Sequence, residues 1–104
     1  MQPVNDKGAE QRLPYVWDYD IGAAEFLQLL NGELTLGRLD QDWAAARLLE
    51  YAPYPEIIRV LGFRRLVAGW PRWRPFIRSP GRRRGFDFLV EWLPKHRPEL
   101  CAPR

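Results

Sequence analysis

Few side chains in this sequence can act as a nucleophile, and none is spaced for it. Outside tyrosine, the hydroxyl and thiol groups are Thr35, Ser79 and Cys101. A Ser–His–Asp relay would have to combine Ser79, His96 and Asp87. Ser79 stands directly before Pro80, as a helix cap does, and His96 lies near the C-terminus. Cys101 would need a cation such as Arg97 or Arg104 beside it to ionise near neutral pH; a reduced tail thiol is the simpler reading. Asp18 and Asp20 form one D-x-D pair and Asp40 and Asp42 another, the hard-oxygen pairing that holds Mg²⁺ beside phosphates. Each pair precedes a helical stretch, where aspartate accepts the free amides of the first turn, so capping accounts for both. Neither G-x-x-x-x-G-K-[ST] nor G-x-G-x-x-G occurs. Gly81 and Gly85 frame three arginines, an anion-friendly turn but no nucleotide motif. One Cys and one His leave no thiolate zinc site, multi-histidine centre or disulfide framework. The expectation is a protein with no catalytic residue, no cofactor and no metal: not an enzyme.

Charge points toward an interaction role. The net charge is +3, yet residues 1–58 hold ten acidic and four basic side chains, while residues 59–104 hold twelve basic and three acidic. Nine arginines lie between Arg59 and Arg84 with no Asp or Glu among them. Such asymmetry fits a polyanion or an acidic protein surface as partner, unless the acidic half of the chain neutralises it internally. Fourteen of the sixteen cations are arginine, whose planar fork suits interfaces. A G+C-rich genome would produce the same bias.

The elements that must position these residues are helical. At 104 residues, 46% hydrophobic and 28% charged, the chain suits one compact core rather than disorder or two domains. No apolar run nears the ~20 residues that cross a bilayer, and the first residues lack a secretory h-region. A cytoplasmic protein is expected. Residues 1–14 show no apolar period and read as a flexible arm, 15–94 as the helical domain, and 95–104 as a frayed tail. Asp20 is placed to cap a first helix of 21–31, with Ala23, Phe26, Leu27 and Leu30 on one face. Asp40 is placed to cap a second of 40–52, burying Ala45, Leu48, Leu49 and Ala52. Trp43 falls on its opposite face with Arg47 and Glu50, where a wall of the same chain is the expected cover. Pro55 opens a short third helix to 61, Gly62 ends it, and 63–69 makes a fourth with Phe63, Leu66 and Val67 inward. Pro71 and Pro75 predict an irregular turn next. Ser79-Pro80 starts the last helix, which should run to about 93 and stop before Pro94. Its core face is Phe86, Leu89, Val90 and Leu93, with Arg83–Asp87 and Glu91–Lys95 as i,i+4 pairs. β-branched runs are absent. The fold class is all-α: a single domain of four or five short helices.

Two surfaces compete for the partner. On the last helix Phe88 and Trp92 are left over once the core face is assigned. With Arg82, Arg83 and Arg84 they form a candidate protein-docking face, being residue types enriched at interface anchors; burial on two sides within the fold is the other reading. The alternative is a nucleic-acid face of Arg64, Arg65, Arg72, Trp73, Arg74 and Arg78, gripping phosphates and stacking on bases. The second to fourth helices resemble a helix-turn-helix poorly: 63–69 would offer only Arg64 and Arg65 to bases. Against that face, Trp70, Trp73 and Phe76 would point to the core.

Three segments carry a family resemblance: Trp17-Asp18-Tyr19-Asp20, then Arg38-Leu39-Asp40-Gln41-Asp42-Trp43-Ala44, then Arg47-Leu48-Leu49-Glu50-Tyr51. With a loop like Tyr54-Pro55-Glu56-Ile57, they make residues 15–93 similar to a group of small bacterial W-D-Y-D proteins. Such proteins are associated with loci that also encode a nucleotidyltransferase-like toxin. The resemblance implies an antitoxin or accessory partner and brings no catalytic residues. The basic second half would meet an acidic toxin face or operator DNA.

Overall fold

Residues 13–16 and 18–101 are described by the computed structural model, and among them the secondary structure is helical, with no strand. Five α-helices follow one another: α1 (Ala23–Leu30), α2 (Gln41–Tyr51), α3 (Tyr54–Val60), α4 (Phe63–Trp73) and α5 (Pro80–His96). Short 3-10 turns follow α4 at Arg74–Phe76 and α5 at Pro98–Leu100. The expected all-α class is therefore observed. The expected arm lies outside the described residues except for Leu13 and Pro14, as do Trp17 and residues 102–104. None of the described helices is long and apolar enough to cross a membrane. The backbone separates into two units, one through Leu48 and one from Leu49, with the boundary inside α2.

In the first unit the buried side chains include Tyr15, Val16, Ile21, Phe26, Leu29, Leu30, Ala44, Ala45 and Leu48. α1 starts two residues later than the sequence predicts, and Asp20 is not its cap. Gly22 holds that position, and its amide donates to Glu25 Oε1 at 3.0 Å. Leu29 is fully buried while Leu27 is exposed, the reverse of the predicted face. Apolar residues at 26, 27, 29 and 30 permit either stripe, and packing selects 26, 29 and 30. Leu36 and Leu39 exchange backbone hydrogen bonds around Gly37, which takes φ 61°. Asp40 caps α2 as expected, Oδ1 accepting from the Trp43 amide at 2.9 Å. Trp43 is covered by its own chain: Tyr19 and Phe26 meet it edge-on at 5.2 and 6.1 Å, and the Arg47 guanidinium lies 5.2 Å from its ring. Arg47 forks onto Asp18 at 2.7 and 3.2 Å, and this pair holds the Asp18 carboxyl below its ordinary value. Asp18 and Asp40 thus each have a structural role.

In the second unit Leu49, Ala52, Ile57, Leu61, Leu66, Trp70, Trp73, Ile77, Phe86 and Leu93 are buried. Pro53 caps α3 and Pro55 sits in its first turn, where a missing amide hydrogen costs nothing. Gly62, at φ 84°, breaks the chain between α3 and α4. α4 is four residues longer than predicted and includes Pro71. Helix past Pro71 forfeits the bond to the Val67 carbonyl, a cost of up to ~3 kcal/mol. Continuing it aligns Trp70 and Trp73 with Leu66 and Gly69 on one buried face. Two indoles out of water offset that loss. α5 likewise passes Pro94 to His96 instead of stopping at 93, with Leu93 buried and the Arg97 amide closing onto its carbonyl at 2.7 Å. Ser79 caps α5, its Oγ accepting from the Arg82 amide at 3.3 Å.

Candidate docking surface

α5 is held in place before its exposed side chains matter. The Glu50 carboxylate accepts the amides of Arg78 and Ser79 at 2.6 and 3.1 Å, anchoring the approach to the helix. Nothing in the sequence around Glu50 marks it for this role, since the amides it binds lie about 28 residues away. Arg82 is half-buried, and its Nη1 donates to the Leu49 and Ala52 carbonyls, both at 2.8 Å. It thereby satisfies acceptors that the end of α2 leaves open. Arg83 Nη1 donates to the Ile77 carbonyl at 3.0 Å. Of the three arginines predicted to dock a partner, two therefore brace the unit, and Arg84 is the exposed one.

Phe88 and Trp92 behave differently from each other. Phe88 is 65% exposed. It borders a groove of about 380 Å³ whose other walls are Tyr54 and Ile57 of α3 and Gly85, Phe86 and Leu89 of α5, with Arg82 at one edge. Trp92 is half-buried and stacks on His96, centroids 4.6 Å apart and planes at 13°. Phe88, Trp92 and His96, with Glu91 and Lys95, line a second hollow of about 140 Å³ further along α5. Leu89 and Val90, assigned to the core face, are only half-buried, whereas Phe86 and Leu93 are buried.

Three residues of the alternative nucleic-acid face, Arg65, Trp73 and Arg74, are engaged within the fold. Trp73 is 3% exposed and unavailable for stacking on a base. Trp70 is equally buried, whereas Phe76 is open to solvent. Arg65 Nε donates to the Leu61 carbonyl and Nη2 to that of Val60, at the end of α3. Burial, with Arg64 beside it, pulls the Arg65 pKa below its ordinary value. Arg74 forks onto Asp87, both contacts at 2.8 Å. Arg64, Arg72 and Arg78 are exposed, Arg72 lying over the Trp73 ring at 5.4 Å. The three groups of the conceivable relay also have separate partners: Ser79 the Arg82 amide, Asp87 Arg74, and His96 Trp92.

Asp87 does not pair with Arg83 as predicted. Arg74 and the Trp70 indole, donating Nε1 to Oδ1 at 2.7 Å, bring its pKa down to about 2. A carboxyl depressed in the fold stabilises it above its unfolded pKa of about 4, and that contribution disappears as pH falls through about 2. Thermal melts of the parent should therefore lose stability between pH ~4 and ~2, and Asp87→Asn should flatten that fall. An unchanged acid limb in Asp87→Asn would show that this carboxyl is not responsible.

No family model matches this chain, and no significant match is found among curated proteins or solved structures. The class its own geometry defines is an all-α protein with a partly apolar, arginine-flanked groove along its last helix.

Proposed function

We propose that this chain is a non-enzymatic interaction protein of the cytoplasm that docks a protein partner along α5. One observation carries the reading: Phe88, 65% exposed, stands at the rim of the groove formed with Tyr54, Ile57, Gly85, Phe86 and Leu89. An aromatic ring left in water beside an apolar cleft is the form of a binding anchor, because capping the cleft removes both from solvent at once. The resemblance of residues 15–93 to W-D-Y-D proteins supplies the kind of partner: a nucleotidyltransferase-like toxin, with this chain as its antitoxin or accessory subunit.

The test is capture from lysate of the source organism with tagged full-length chain, one half of the sample treated with nuclease. The expected result is one protein retained near one-to-one in both halves and lost with Phe88→Ala, while the melting temperature moves little. Arg82→Ala should instead lower the melting temperature. It leaves two helix-end carbonyls without their donor and costs about 1–3 kcal/mol. Retention unaffected by Phe88→Ala would refute docking along α5. Material held only without nuclease would make nucleic acid the ligand.

A further inference from the structure

We infer that the groove between α3 and α5 receives an acidic amphipathic α-helix of the partner; this rests on the docking reading above. The chemistry of the walls selects the occupant. Both walls are helices, α3 through Tyr54 and Ile57 and α5 through Gly85, Phe86, Phe88 and Leu89. Helix backbones are bonded internally, so the middle of the groove offers no ladder of free amides and carbonyls. An extended segment laid there would bury its own backbone groups without partners, whereas a helix brings its hydrogen bonds with it. From Arg82 to His96 the strip runs about 21 Å, room for about four turns of a partner helix.

The charges specify an acidic flank. The groove's lining has one cation, Arg82, and no carboxylate. Arg84 is exposed on the same helix and has no ion pair among the described residues. Lys95 stands at the far end. The two carboxylates of α5 have cations of their own, Asp87 Arg74 and Glu91 Lys95. A partner helix with Glu or Asp beside its apolar stripe would find Arg82 and Arg84 near one end of the strip and no repelling charge in the main groove.

Gly85 agrees with this reading. A Cβ at Gly85 would meet nothing within 4 Å, and its φ is not in the left-handed region. The fold therefore has no need of glycine there, although glycine weakens a helix interior relative to alanine. What its missing side chain leaves open is the groove.

The experiment selects a displayed library of random 16-residue peptides on immobilised full-length chain. Enriched peptides are then remade with two central prolines, or with Glu and Asp changed to Gln and Asn, and titrated by fluorescence anisotropy. The expected winners have apolar residues at i, i+3 or i+4, and i+7 with acidic flanks. They should lose at least tenfold in affinity with either change. Phe88→Ala should weaken them by a similar factor, and so should Gly85→Leu, which fills the groove while leaving the melting temperature at or above the parent's. Winners that tolerate proline or lack acidic residues, yet depend on Phe88, would overturn the acidic-helix inference and leave docking intact. Winners indifferent to both Phe88→Ala and Gly85→Leu would overturn docking as well. An empty selection, or a dimer of the chain dissolved by Phe88→Ala, would also overturn the inference, the latter by making a second copy the occupant.

Discussion

Gly69→Ala will lower the melting temperature by roughly 10–20 °C, the effect of about 2–3 kcal/mol in a chain of this size. Ordinarily the change from glycine to alanine inside a helix stabilises by nearly 1 kcal/mol, so the sign is the diagnostic. The reversal comes from Trp73, one turn later on α4. A Cβ built at Gly69 would press against Cη2, Cζ2 and Cζ3 of the Trp73 indole, closer than side-chain carbons approach in folded proteins. Both residues are buried, so neither has free space to move into. The ring would have to rotate toward water, and tryptophan emission should shift to longer wavelength along with the loss of stability. Gly85→Ala supplies the control, because its new Cβ meets nothing and should stabilise slightly. A Gly69→Ala protein as stable as the parent would show that the indole does not occupy this position. The result bears on function too, since Gly69 allows Trp73 to lie inside the fold and so removes it from any surface that stacks on bases.

Phe26→Ala should have the larger effect, about 3–5 kcal/mol. Phe26 is wholly buried. Tyr15 meets its ring at 5.5 Å and Trp43 at 6.1 Å, both edge-on. Trp43 is in turn in contact with Tyr19 and Arg47, and Arg47 holds Asp18. Removing the Phe26 ring therefore opens a cavity against Tyr15 and against Trp43, the ring on which Tyr19 and Arg47 rest. Urea unfolding should show a lower midpoint, and near-ultraviolet circular dichroism should show weakened aromatic signals in the folded baseline. Phe26→Leu, which keeps most of the volume, should recover more than half of the loss. A midpoint shift below about 1 kcal/mol for Phe26→Ala would contradict the central place of this ring.

Features governed by groups within one turn of each other were legible in the sequence. Asp40 and Ser79 cap the helices they precede, and Gly62 divides α3 from α4, because each depends on a side chain or a backbone angle acting three residues away or fewer. The helical class was legible for the same reason: 3.6-residue periodicity is a local property. The exposed Phe88 was legible as an apolar residue in excess of one core stripe. Tertiary structure decided the rest. Leu29 instead of Leu27 faces inward, and α4 and α5 run through Pro71 and Pro94, because burial of distant partners outweighs local preference. Asp87 binds Arg74, thirteen residues back, instead of Arg83 one turn away. The arginines look alike in sequence, yet Arg65, Arg82 and Arg83 close onto backbone carbonyls while Arg64, Arg78 and Arg84 face water. A guanidinium has five donors and a long stem, so its role depends on which acceptors the folded chain brings within reach, and no pattern of neighbours encodes that.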